Sequence, residues 1–213
     1  MKKRSKIAIA LVSSLICLGL VVFGVYAAVV ATFELDSSFN FVARGVYVGV
    51  SGQVYAGETA ETATALTGGN YTLAEQINFT KGADGNPDGT KSNATLPTWH
   101  PDNATLDEIN PVLIFEITFK NYGPYSIAVT PNNETAGVSG ISMTESSNAS
   151  VIGSGQTGVY RLTLEVTKFL KDIEQKPVNI SFTMERTDKE PASSNFTKEP
   201  GGKDGYTKYV KNA

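Results

Sequence analysis

PVLIFEITFKN, residues 111–121, decides the class of fold. Leu113, Phe115, Ile117 and Phe119 occupy alternate positions, with Glu116, Thr118 and Lys120 between them. Successive side chains of a strand point to opposite faces, so this segment predicts a strand with one buried and one wet face. The segments that follow repeat the pattern. NYGPYSIAVTP turns at Tyr122, Gly123 and Pro124 and returns with Tyr125, Ile127 and Val129. TGVYRLTLEV places Tyr160, Leu162, Leu164 and Val166 on one face, and VNISFTMER does the same with Val178, Ile180, Phe182 and Met184. VSGISMTES reads as a further strand between them.

Upstream, FNFVARGVYVGVSG (residues 39–52) reads as one strand that is apolar on both faces. Val42, Val46, Val48 and Val50 fall on one side, and Phe39, Phe41, Ala43 and Tyr47 on the other, which predicts a central position. Only KFLKDIEQK, residues 168–176, reads as a short helical connection. Many short strands separated by Gly, Pro and Asn turns, in a chain of 213 residues, predict an all-β antiparallel β-sandwich over residues 28–186. Residues 81–111 read as a polar excursion and residues 187–213 as a loose polar tail.

The N-terminus carries an export signature. Four of the first six residues are basic and residues 7–33 contain no charge, the layout of a secretory signal. Cleavage is expected after Val25-Tyr26-Ala27, making residues 1–27 a signal peptide and Ala28 the first mature residue. Left uncut, the same run is long enough to anchor the chain in a membrane. Export leaves 14 Lys+Arg against 21 Asp+Glu, a mature net charge of −7. No basic patch survives to hold nucleic acid, and an acidic surface suits an extracellular or cell-surface protein. The only cysteine, Cys17, lies in the apolar run, so the mature chain is expected to fold without disulfides or cysteine metal sites.

Catalytic groups are scarce. His100 is the only histidine, and no metalloprotease helix motif, serine triad or phosphate-binding glycine loop occurs. The adjacent carboxylates Asp107 and Glu108 read as solvated charge, so no enzyme activity is expected. DGNPDGT (residues 84–90) aligns Asp84, Asn86, Asp88 and Thr90 with the opening of a calcium loop. Thr95 stands where such a loop has its bidentate glutamate, and the same residues are ordinary turn formers. Trp99, the only tryptophan, lies in the excursion, where an exposed aromatic would suit a sugar.

Asn-x-Ser/Thr sequons occur at Asn70, Asn78, Asn93, Asn103, Asn133, Asn148, Asn179 and Asn195. Chance spacing of 14 Asn among 39 Ser+Thr would give roughly three. The excess marks either a glycan-coated extracellular protein or a β-protein whose turns favour these residues.

MKKRSKIAIALVSSLICLGLVVFGVYAAVVATF resembles the signal-and-start arrangement of TasA/camelysin-like secreted proteins. In that family an aromatic-Ala stretch closes the signal and a strand begins at once; here the pattern falls on Tyr26, Ala27 and Ala28. PVLIFEITFKNYGPYSIAVTPNN and GSGQTGVYRLTLEV are similar to later strands of such proteins. The resemblance implies a jelly-roll-like domain that polymerises head to tail into extracellular fibres of a biofilm matrix. Archaeal bundling pili of similar fold would suit the sequons. It further implies a donor strand, here Ala28, Val29, Val30, Ala31, Thr32, Phe33, Glu34 and Leu35, that enters a sheet of the next subunit.

The residues themselves are compatible with that role. The segment is too apolar for a free tail, and an open sheet edge on a second copy would satisfy its backbone. Ala31, Phe33 and Leu35 would share one face, with Val30 and Thr32 on the other. Spacing alone leaves open whether the segment pairs in its own sheet. The other reading is a secreted or membrane-tethered binding module, an adhesin of sandwich type that engages cell-surface or matrix components.

Overall fold

The computed structural model describes residues 33–73, 93–101, 104–135, 137, 139–168, 176–191, 196–199 and 208–211. The described chain is all-β. Its strands are β1 (Phe33–Arg44), β2 (Val48–Gly57), β3 (Thr64–Leu73), β4 (Asn93–Thr95), β5 (Thr105–Leu106), β6 (Val112–Asn121) and β7 (Ile127–Asn133). There follow β8 (Ile141–Ser147), β9 (Val151–Ile152), β10 (Thr157–Val166), β11 (Lys176–Arg186), β12 (Phe196–Glu199) and β13 (Lys208–Lys211).

Two sheets pack face to face as a β-sandwich. One has the order β4-β1-β11-β7-β9, with β5 also beside β1; the other runs β3-β2-β6-β10-β8. All their pairings are antiparallel except β1 with β11, which are parallel from Leu35↔Lys176 to Arg44↔Glu185. As the alternation predicts, Leu113, Phe115, Ile117 and Phe119 of β6 are wholly buried. Tyr160, Leu162 and Leu164 of β10 and Val178, Ile180, Phe182 and Met184 of β11 complete the core from both sides. Phe182 links the layers, with ring centroids 5.3 Å from Phe119, 5.0 Å from Tyr160 and 5.5 Å from Phe41.

The expected single strand over residues 39–52 is two strands in different sheets. In β1 the odd-numbered Phe39, Phe41 and Ala43 point inward, whereas beyond Gly45 the even-numbered Val46, Val48 and Val50 do so. Gly45, at φ 61°, turns the chain from one sheet to the other. A left-handed conformation at this corner suits a residue without Cβ. What the sequence presents as one strand apolar on both faces is a strand that changes layers.

The expected polar excursion is corrected over its second half. Asn93–Thr95 and Thr105–Leu106 pair with β1, and between them Trp99 bridges to Phe39. Leu96, Trp99, Ala104 and Leu106 are buried, so this stretch forms the edge of the first sheet. The loose tail is also corrected in part, since β12 and β13 form an antiparallel hairpin. Tyr209 is buried there, and its hydroxyl donates to the Asp188 carbonyl at 3.1 Å. Of the expected helical connection, Lys168 is a bend and Lys176 opens β11; residues 169–175 lie outside the described residues.

Candidate assembly site

β1 is the first described strand, yet it lies inside its sheet. On one side it pairs with β11 along almost its whole length. On the other, residues 93–101 and 104–106 run antiparallel to it. Leu96 N–H donates to the Phe41 carbonyl at 2.9 Å, Trp99 and Phe39 exchange two bonds of 2.9 Å, and Leu35 N–H donates to Ala104 at 3.2 Å. Both backbone edges of β1 are therefore occupied, which removes the exposed edge that an N-terminal strand usually presents. Its inward residues Phe33, Leu35, Phe39, Phe41 and Ala43 are all buried. Phe39 lies 4.9 Å from Trp99 and 5.1 Å from Phe115 of the opposite sheet.

The sandwich has two distinct ends. At the entry end Phe33 pairs with Leu106, and Gly57 and Glu165 both pair with Val112. At the corner end lie Gly45, the β6–β7 turn and the end of β11. Arg186 Nε donates to the Gly45 carbonyl at 3.1 Å, and its guanidinium lies 4.7 Å from the Tyr125 ring centroid. Tyr122 N–H donates to the Tyr47 carbonyl at 2.8 Å, and the two tyrosine rings meet edge to face at 6.2 Å. Asn121, fully buried, ties this end together. Its Nδ2 donates to Tyr125 O at 2.8 Å and Ile152 O at 3.0 Å, and its Oδ1 accepts from Gly123 N–H at 2.9 Å.

Of the expected donor strand, Ala28, Val29, Val30, Ala31 and Thr32 lie outside the described residues. In the single chain the other three pair at home: Phe33 with Leu106, Glu34 with Thr105, and Leu35 with Lys176. The candidate calcium residues Asp84, Asn86, Asp88 and Thr90 lie outside the described residues, as do the sequons at Asn78, Asn103 and Asn195.

Asn70 is exposed on β3, and Asn93 opens β4. The Asn133 and Asn179 sequons meet across β7 and β11. Thr135 Oγ1 accepts from Asn179 N–H at 3.0 Å, while Asn133 Nδ2 donates to Glu145 at 2.6 Å. Asn148 is exposed, with Oδ1 accepting from Val159 N–H at 2.6 Å.

Trp99, expected on an exposed loop, is instead a core residue at 3% exposure, which removes it as a sugar platform. His100 Nδ1 lies 3.2 Å from the Ser37 carbonyl, a distance that favours the proton on that nitrogen. Burial, and after it the Glu145 carboxylate, push the Tyr160 phenol above its ordinary range, so it stays neutral. An open basin of about 460 Å³ on the outer face of the second sheet is lined by Glu116, Ser146, Ser147, Asn148, Val159 and Arg161. Glu116 and Arg161 are ion-paired across it.

Sequence reasoning passed over Gly45, Asn121 and Arg186. The Arg44-Gly45 step inside an apolar run was the available signal for the first of these. In comparisons with known proteins, no family model, curated protein or solved structure matches the chain significantly.

Proposed function

We propose that the chain is a secreted structural protein, a jelly-roll-like subunit of an extracellular fibre or biofilm matrix joined head to tail through its N-terminal strand. The observation that carries this reading is the placement of β1, whose first residue enters the middle of a sheet at one end of the sandwich. Phe33 and Leu35 are buried there, and at about 1.5–3 kcal/mol each they are a firm anchor for whatever precedes them. Continued in the direction of β1, Ala28–Thr32 would reach about 16 Å beyond that end at ~3.3 Å per residue. These five residues are uncharged and rich in β-branched side chains. Added to the sheet of a second copy, their N–H and C=O groups gain ladder partners. A contact between unlike surfaces runs head to tail, and where the rotation between copies closes no ring it propagates a filament.

The test is negative-stain electron microscopy of two concentrated proteins, one starting at Ala28 and one at Phe33. Both retain the described fold, which matched thermal unfolding checks. Filaments from the first and monomers from the second are expected. Monomers from both would overturn the reading and favour the second one, a surface binding module, for which the basin beside Asn148 is the place to look.

A further inference from the structure

We infer that the two ends of the sandwich are complementary docking surfaces, so that the entry end of one copy seats on the corner end of the next. This rests on the fibre reading and names the contact between subunit bodies. Among the described residues the exposed large hydrophobic side chains are Ile109, at 79%, and Tyr122, at 50%. They flank the two ends of one strand. Ile109 precedes β6 in the turn that Asp107 closes by accepting from the N–H groups of Ile109 and Asn110, whereas Tyr122 follows its last residue.

The charges divide in the same way. At the entry end, Glu58 and Glu61 lie in the β2–β3 turn, Asp107 and Glu108 beside Ile109, and Glu165 on the last rung, with Lys168 opposing them. Backbone and Thr59 hydrogen bonds hold the Glu61 carboxyl below its ordinary range, so it stays charged. At the corner end, Arg44, Lys120, Arg186 and Lys189 stand with Glu185, Asp188 and Glu190, and Arg44 is paired with Glu185 at 3.7 Å. One end is strongly acidic; the other has a slight positive excess and presents the Tyr47–Tyr122 pair.

A further feature favours a second copy as the occupant. The chain before Phe33 joins the domain at the acidic end, beside Leu106, so a strand offered to a neighbour leaves where Ile109 stands. An apolar side chain inside an acidic rim, meeting tyrosines beside basic groups, gives a central contact with a polar surround. Unlike surfaces at opposite ends make a contact that repeats along an axis.

The test places cysteines at the two positions in the full chain, exported by its own N-terminal segment and carrying Cys17→Ser. β6 alone, ten residues, is about 33 Å long, so Ile109→Cys and Tyr122→Cys in one chain cannot bridge internally. Oxidation of the double variant is expected to give a ladder of multimers, and a mixture of the two single variants a dimer. Each single variant alone is expected to stay monomeric. When oxidation is carried out in about 1 M salt, where the screening length falls to ~3 Å, a shorter ladder is expected.

Dimers from either single variant alone would overturn the proposal, because like ends would then be meeting. Filaments by microscopy without cross-links would overturn the end contact and leave strand donation standing. A ladder without filaments would support the end contact and count against strand donation. Neither ladder nor filaments would overturn both.

Discussion

Trp99 and Gly52 show how closely single residues are fitted. A Cβ placed on Gly52 would lie 2.6 Å from the Trp99 ring, inside a core where the indole is 3% exposed. Gly52→Ala is therefore expected to cost about 1–3 kcal/mol in chemical denaturation, the usual range for overpacking. Trp99→Ala should cost about 3–5 kcal/mol by opening a cavity. In the Trp99→Ala background, Gly52→Ala should cost less than about 0.5 kcal/mol, because the two residues contest one volume. Equal costs in both backgrounds would show that the ring does not lie over Gly52. Neither residue was legible as a partner in the sequence. Trp99 stands between Pro97, Thr98, His100 and Pro101, where no period marks an inward face. Its burial comes from long-range bonding to Phe39.

At the scale of elements, the period-two strands were readable and their junctions were not. β10 follows the alternation along almost its whole length, and β6 does so from Phe115 onward, whereas Val112 and Ile114 at its start are buried on the other face as well. β3, TALTGGNYTL, shows no alternation and was missed; Gly68 sits at φ 82° and the pairing with β2 shifts register. The turn after β6 depends on Asn121, which signals nothing by type because Asn is common in turns. Its side chain holds two carbonyls and one N–H at this end. Asn121→Leu keeps the branched heavy-atom skeleton and loses all three bonds. We expect it to cost at least ~3 kcal/mol, since each buried polar group left unpaired costs about 1–3. A loss below ~1 kcal/mol in urea unfolding would mean that the turn is held by its backbone alone.

For the whole molecule, the core cluster draws on both sheets and on Leu96, Trp99 and Ala104, and among the described residues it includes none of the β12–β13 hairpin. A hydrogen bond from that hairpin to the body runs from the Tyr209 hydroxyl to the Asp188 carbonyl. A chain ending at Pro191 is therefore expected to fold cooperatively, with its Tm lowered by about 5 °C or less. Collapse of the near-ultraviolet circular dichroism on truncation would show that the hairpin is integral to the core.

By itself, the sequence determined the class of structure and the inward faces of its clearest strands. Alternation is a local property of an extended backbone, and a soluble sheet must bury one face. The sequence also set out an uncharged N-terminal run, an acidic remainder and a surplus of sequons. Only the tertiary structure decided that β1 lies parallel to β11, that Gly45 carries the chain from one sheet to the other, and that Trp99 is core. It alone showed that Ile109 and Tyr122, on either side of β6, are exposed. Partner, register and layer arise from contacts between residues far apart in the chain, and a period of two is the same whichever strand lies alongside.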